Sequence, residues 1–153
     1  MREGPSATDS RLEWRWTHGS EIAAADFGDP QATTDYTFCI YDEDALSPTG
    51  LRLLANATTG EGNPNWTPTS RGFRYADQTL ATDGLENIVL RSGAAGKSRI
   101  VVRGKGSNLS VTNLPAAPPI IAELRSSTGD CWRSQFTTIR RNTAEKMHAR
   151  VGP

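Results

Sequence analysis

The chain has 153 residues, a length that suits one domain with a single hydrophobic core. Its 17 basic and 17 acidic residues give a formal net charge of zero, which disfavours nucleic-acid binding because such proteins carry an excess of positive charge. No apolar run reaches the roughly 20 residues needed to cross a bilayer, so we predict no membrane span. Residues Met1–Ser10 also lack the apolar stretch of a secretion signal.

The amino-terminal stretch Met1–Ser10 is polar and contains a Gly-Pro breaker. We therefore predict a flexible arm over residues 1–10 and a single domain over residues 11–153. Structure is expected to begin at Leu12, because Leu12, Trp14 and Trp16 are apolar and alternate with polar residues. This period of two is typical of a β-strand with one buried face.

The middle of the chain predicts a β-meander followed by a long loop. Tyr36–Tyr41 alternates and is rich in aromatic and β-branched residues, and Leu51–Asn56 is its expected partner. Residues Thr58–Thr69 hold several Gly and Pro residues around a lone Trp66, which indicates an irregular loop. A short strand is expected at Phe73–Tyr75, and a single helical turn would fit only at 21–27.

The second half of the chain continues the pattern of short strands and turns. Strands are predicted at Leu85–Arg91, Arg99–Arg103, Leu109–Val111, Ile120–Leu124 and Cys131–Ile139, and residues 144–151 fit either a last strand or a short helix. The total is about eight to ten short strands without long amphipathic helices. We therefore predict an all-β, antiparallel β-sandwich, with a closed barrel as the alternative.

Two cysteines, Cys39 and Cys131, lie in predicted strands. A disulfide between them would close a long loop and contribute about 4 kcal/mol through loss of unfolded-state entropy. The alternative is a pair of buried free thiols that act as small hydrophobic residues. We favour the disulfide, because both flanks suggest paired strands and two cysteines leave no orphan thiol.

Several segments resemble an uncharacterised domain of predicted exported proteins from environmental bacteria, including myxobacterial relatives. The similarity covers nearly Leu12 to Arg150 and is carried by 26–30, 34–42, 72–75, 83–84, 91–97, 103–106 and Cys131-Trp132. The resemblance implies a β-rich module and export, and it implies no activity. Together with the expected disulfide, it places the protein outside the cytoplasm, either extracytoplasmic or secreted.

Acidic and basic loops give only weak signals for ion binding. Asp35, Asp42 and Asp44 could supply oxygen ligands to calcium, but the Asp-x-Asp-x-Asp alternation of a helix-flanked calcium loop is missing. A charged surface loop is the alternative, and no other cofactor is predicted. Residues 93–98 end in Gly-Lys-Ser without the first glycine of a phosphate-binding loop, and 103–106 is basic; both are interpreted as turns.

Aromatic residues are the candidates for ligand contact. Most of them alternate within strands and are expected in the core. Trp66 stands alone in a polar loop, so we predict that it contacts a ligand together with Tyr75 and Tyr41.

The sequence shows no nucleophile elbow and no histidine with a triad-like signature, so we expect no catalysis. The favoured function is a non-catalytic extracytoplasmic binding or structural module that binds carbohydrate or self-associates through edge strands. A small hydrolase of glycans or esters is the alternative, with converging carboxylates drawn from Asp35, Asp42, Asp44, Asp77 and Asp83. A third hypothesis is a cytosolic domain with reduced thiols and a small-molecule cavity.

Overall fold

A computed structural model describes residues 1–3 and 10–150, and over these residues the protein is an antiparallel β-sandwich. Sheet 1 has the order β1-β7-β6-β5-β4, formed by β1 (Arg11–Thr17), β4 (Trp66–Thr69), β5 (Gly72–Ala76), β6 (Leu85–Arg91) and β7 (Arg99–Lys105). Sheet 2 has the order β10-β9-β2-β3-β8, formed by β2 (Tyr36–Glu43), β3 (Leu51–Thr59), β8 (Ser110–Val111), β9 (Ile120–Ser126) and β10 (Cys131–Phe136). A hairpin of β11 (Thr138–Asn142) and β12 (Met147–Arg150) completes the described fold.

Neither five-stranded sheet closes on itself, so the predicted sandwich is confirmed and the barrel alternative is wrong. The described residues form twelve strands, more than the eight to ten expected. Among these residues, helical backbone is confined to one 3-10 turn, Ala24–Phe27, inside the segment where a single turn was predicted. No helix in the described part of the chain is long and apolar enough to cross a membrane.

The alternation of β1 determines which side of sheet 1 is buried. Leu12 and Trp14 are each 3% exposed, whereas Arg11, Glu13 and Arg15 face solvent. The antiparallel register continues the inner face across the sheet in one row of side chains: Trp14, Val102, Ile88, Tyr75 and Trp66. Each member of this row is almost fully buried, so the strand-by-strand pattern produces one continuous apolar surface.

Aromatic rings from the two sheets meet in the core. Trp14 of sheet 1 lies 5.4 Å from Phe38 of sheet 2, measured between ring centroids. Tyr36 of sheet 2 lies 5.4 Å from Trp66 of sheet 1. Tilted ring pairs of this kind contribute about 0.5–1.5 kcal/mol each beyond the burial of their area. Aromatic pairs therefore join the two sheets together with buried aliphatic residues such as Leu54 and Ile88.

Two details differ from the sequence interpretation. Arg103 and Lys105 belong to strand β7 and pair with Glu13 and Arg11 of β1, so the turn predicted over 103–106 is wrong for these residues. Pairing with β1 extends strand β7 beyond the β-branched residues 100–102. At the amino terminus, Arg2 forms bridges to Arg11 and Lys146, while the rest of the predicted arm, residues 4–9, lies outside the described residues.

Candidate functional site

The two cysteines do not form a disulfide; both are free thiols. Cys39 on β2 and Cys131 on β10 are separated by β9, with Cys39 opposite Glu123 and Cys131 opposite Arg125. Since neighbouring strands are about 4.8 Å apart, β2 and β10 are about 10 Å apart. A disulfide needs Cα atoms within about 7 Å, so the predicted bridge is wrong and its stabilisation is absent.

The outer face of sheet 2 carries both thiols and one predicted contact residue, Tyr41. A groove of about 350 Å³ is lined there by Thr49, Arg133 and the following residues: Tyr41, Leu51, Leu53, Ile121, Glu123 and Arg125. The Glu123 carboxylate is nearly buried and pairs with Arg125 at 2.5 Å. Burial, followed by hydrogen bonding with Cys39, raises the pKa of Tyr41 to about 12. Burial and the nearby Glu123 raise the pKa of the Cys131 thiol, which keeps it protonated and weakly nucleophilic at neutral pH.

The other two predicted contact residues, Trp66 and Tyr75, lie in the core. Trp66 is 1% exposed and Tyr75 is fully buried, and their rings meet at 5.3 Å. Trp66 begins the short strand β4 and pairs directly with Tyr75 on β5. Both side chains face sheet 2, so neither reaches a ligand at the surface.

The three aspartates proposed as calcium ligands are not brought together. Asp35 precedes β2 and Asp42 lies near its other end, so about seven strand residues, or about 23 Å, separate them. Asp42 is fully buried and binds Arg52 in a bidentate pair, with N–O distances of 3.0 and 2.6 Å. Asp44 accepts a hydrogen bond from the backbone of Leu46. Their carboxylates thus serve the local structure.

The other two carboxylates of the hydrolase hypothesis, Asp77 and Asp83, are also engaged. Asp77 is 3% exposed and accepts hydrogen bonds from Thr79 and from the backbone of Ala81. These bonds, first of all the one from the Thr79 hydroxyl, lower the pKa of Asp77. Asp83 accepts a hydrogen bond from the backbone of Thr58. The lowered pKa of Asp77 is opposite to the raised pKa that a general acid would need.

The outer face of sheet 1 is strongly basic, although the whole chain has no net charge. We call this surface the basic face. The strand register places seven cationic side chains and the carboxylate of Glu13 on this face, and a second carboxylate, Glu86, joins them by pairing with Lys105. The seven cations are Arg11, Arg15, Arg74, Arg91, Arg99, Arg103 and Lys105. The remaining residues of the chain therefore carry a matching excess of negative charge.

Only part of the charge on the basic face is balanced by ion pairs. Glu13 accepts hydrogen bonds from both Arg15 and Arg103, and Lys105 pairs with Glu86. Desolvation alone would raise the pKa of Glu13, but the two arginines outweigh it and lower that pKa. Four arginines form no salt bridge to any described carboxylate: Arg11, Arg74, Arg91 and Arg99.

Arginine side chains also cover the centre of the basic face. The register points Val101 outward, yet this residue is only 2% exposed. Its neighbours along β7 are Arg99 and Arg103, and its partner on β1 is Arg15. The aliphatic stems of these side chains can lie over Val101 while their guanidinium groups stay in solvent. The face is therefore closely lined with cationic groups.

One end of the basic face forms a cleft of about 590 Å³. It is lined by Met1, Leu12, Gly104 and charged side chains of Arg2, Arg11, Glu13, Glu86, Arg103, Lys105 and Lys146. This volume lies in the range of ligand-binding pockets, about 300–1,000 Å³. A second cavity, between the sheets beside Trp14 and Met147, measures only about 70 Å³ and is too small for an organic ligand.

The net charge of zero over the whole chain hides the basic face. A usable signal was present in the strands, where the polar positions of β1 hold Arg11, Glu13 and Arg15 and those of β7 hold Arg99, Arg103 and Lys105. Summing charge over the outward positions of each predicted strand would have found an excess of arginine. It would not have shown that β1 and β7 are neighbours.

Comparison of the chain with protein-family models, curated proteins and solved structures found no match. The resemblance to a domain of exported bacterial proteins stays a prediction.

Proposed function

We propose that the protein is a non-catalytic binding module whose basic face binds an acidic polysaccharide. One observation carries the proposal: seven cationic side chains stand against two carboxylates on one face of a chain with zero net charge. Such a concentration of like charge destabilises the free protein, and an anionic polymer would offset that cost. Arginine forks also match the planar and tetrahedral oxyanions of carboxylate and sulfate groups.

The composition of the basic face favours an acidic polysaccharide over a neutral one. Described aromatic residues of sheet 1, such as Trp14, Trp66 and Tyr75, face the core, so none of these rings offers a stacking platform on the outside. Neutral sugars and single-stranded nucleic acids both depend strongly on aromatic stacking. An extended polyanion needs only charge and hydrogen-bond donors, which the arginines supply.

The charge balance favours a polysaccharide over duplex nucleic acid. Outside the basic face, the rest of the chain has an excess of negative charge. Proteins that bind duplex nucleic acid carry an excess of positive charge over the whole domain, which this chain lacks. An extended polysaccharide chain needs positive charge only along the basic face itself. We also propose that the protein acts outside the cytoplasm, although the disulfide that was expected to support this location is absent.

A binding assay with chemically matched polymers tests this function. We expect the protein to bind dextran sulfate and polygalacturonate, and not neutral dextran, in buffer of physiological ionic strength. The variant R11Q/R74Q/R91Q/R99Q removes the four cations that lack a described salt bridge, and we expect it to bind dextran sulfate about a hundredfold more weakly. Isothermal titration calorimetry or interferometry would measure the affinities.

The matched control removes four exposed arginines outside sheet 1, in R133Q/R140Q/R141Q/R150Q. Both variants lower the net charge by the same amount, so only the position of the charge differs. The proposal fails if the two variants weaken binding equally. It also fails if the native protein binds duplex DNA more tightly than either acidic polysaccharide. It fails as well if sedimentation shows a dimer of the native protein and a monomer of R11Q/R74Q/R91Q/R99Q, because a second copy then covers the basic face.

A further inference from the structure

Arg91 and Arg99 form an unusual pair at the centre of the edge where β6 turns into β7. They are directly opposite each other in the antiparallel register, so their Cα atoms are about 5 Å apart. Like charges in this arrangement repel and destabilise the sheet. No carboxylate in the described part of the chain forms a salt bridge with either residue.

Both arginines also contain a buried donor with no acceptor. The Nε atoms of Arg91 and Arg99 are shielded from solvent, and neither has a hydrogen-bond partner among the described residues. An unsatisfied buried donor costs about 1–3 kcal/mol, and more when the group is charged. Because the two guanidinium groups lie side by side, one acceptor group from solvent could bind the terminal N–H donors of both.

The neighbouring strands leave room for that acceptor. Gly72 is the partner of Arg91 on β5, and Thr17 is the partner of Arg99 on β1, so small residues flank the pair on both sides. A side chain at Gly72 is excluded by its backbone, because φ is +138° and a Cβ there would lie 2.3 Å from the Leu90 carbonyl oxygen. Neither neighbouring strand therefore places a long side chain directly beside the two guanidinium groups.

We propose that Arg91 and Arg99 together form a subsite for a single oxyanion, the sulfate or carboxylate group of one sugar residue. Each guanidinium offers a fork of N–H donors, and the two forks share one bound group between β6 and β7. The subsite rests on the proposed function and adds to it the two residues that would hold one sulfate or carboxylate group in a fixed position. Its own chemistry is tested with a small ion, independently of any polymer.

The variant R91K/R99K separates the subsite from simple charge. Lysine keeps the positive charge but replaces the planar fork by a single ammonium group, so electrostatic attraction is retained and paired hydrogen bonding is lost. We expect this variant to bind dextran sulfate about tenfold more weakly than the native protein. The matched variant R140K/R141K changes two exposed arginines outside the basic face and is expected to bind like the native protein.

Inorganic sulfate is the probe for the subsite itself. In nitrogen-15 NMR spectra, the Nε–H signals of Arg91 and Arg99 should shift and saturate with added sodium sulfate, and should not shift with sodium chloride at equal ionic strength. Assignment comes from the single variants R91K and R99K. Thermal unfolding of the sulfate-free variants checks that each remains folded.

The outcomes distinguish the two proposals. If dextran sulfate binds, but R91K/R99K binds it like the native protein and sulfate leaves both Nε–H signals in place, the subsite is wrong and the binding function stands. If dextran sulfate and polygalacturonate do not bind, but sulfate shifts both signals with saturation, the subsite stands and the polysaccharide function is wrong. Equal shifts with chloride and sulfate would also overturn the subsite.

Discussion

At the scale of single residues, buried polar side chains organise the loops around the core. Asp77 follows strand β5, and its carboxylate accepts hydrogen bonds from the Thr79 hydroxyl and from two backbone N–H groups, at distances of 2.6 to 3.1 Å. The Tyr75 hydroxyl lies 3.5 Å from the same carboxylate. This residue was a carboxylate of the hydrolase hypothesis, and its contacts show that it shapes the loop between β5 and β6.

Asp77 should make the stability of the protein depend on pH. Its pKa is lowered in the folded state, so the carboxylate stabilises the fold above its unfolded pKa of about 4. That contribution is lost as the pH falls through the folded pKa. We expect Asp77→Asn to lower the free energy of unfolding by about 1–3 kcal/mol at pH 7, because an amide N–H would face a backbone donor.

Urea unfolding between pH 7 and pH 3 measures this effect. The difference between the native protein and Asp77→Asn should shrink towards the acid end of the range. Glu43→Gln, at the exposed end of β2, serves as the control and should follow the native curve. A constant difference at every pH would mean that the carboxylate charge of Asp77 contributes nothing.

The position of Trp66 is a single-residue feature that the sequence predicted wrongly. Trp66 stands in a segment rich in Gly, Pro and Asn, which predicted a loop and a ligand contact. The four-residue strand β4 contains Pro68 and shows no alternation, so its direction depends on pairing with β5. Long-range pairing of this kind overrides local composition, and no local pattern could have placed Trp66 beside Tyr36.

At the scale of elements, the strands were predictable and their order was not. Alternation located β1, β2 and β6 closely, since each has one buried and one more exposed side. The same alternation says nothing about which strand lies beside which. The disulfide prediction failed for this reason: both cysteines were placed correctly in strands, but β9 lies between those strands.

The position of β9 makes a direct prediction about the thiols. Cys39 and Cys131 are 92 positions apart in the chain, and a bridge closing that loop would stabilise the fold by about 4 kcal/mol. Without the bridge, we expect the free energy of unfolding to differ by less than about 0.5 kcal/mol with and without reductant.

Thiol titration in denaturant, in the absence of reductant, should count two free thiols per chain. The double variant C39A/C131A is the control, because its unfolding cannot respond to reductant through these residues. A clear drop in stability on reduction of the native protein, with no titratable thiols beforehand, would contradict the strand order of sheet 2.

At the scale of the whole molecule, positive charge is concentrated on one outer face of the sandwich. Sheet 1 carries seven outward cations, whereas sheet 2 exposes a groove with apolar residues such as Leu53 beside the Glu123–Arg125 pair. The net charge of zero correctly described the sum and concealed this separation. The prediction that composition disfavours nucleic-acid binding rests on this sum over the whole chain, and it stays a prediction.

Ion-exchange chromatography should detect the separation of charge. At pH 7.5, above the sequence pI of about 6.7, the protein has no net positive charge, yet we expect a cation exchanger to retain it at low salt. The variant R11Q/R74Q/R91Q/R99Q should elute well before R133Q/R140Q/R141Q/R150Q, although their net charges are equal. Identical elution of the two variants would show that the resin responds to total charge alone.

The packing of the tryptophans has a practical consequence for optical work on this protein. Trp14, Trp66 and Trp132 are each at most 7% exposed and emit from within the sandwich, on the far side of the strands from the arginines. The fluorescence of these three tryptophans therefore reports whether the two sheets remain packed against each other. A ligand on the basic face lies across sheet 1 from these three indoles, and only Trp16 is partly exposed. A dye or an isotope label on the arginine side would therefore report occupancy more directly than the buried tryptophans.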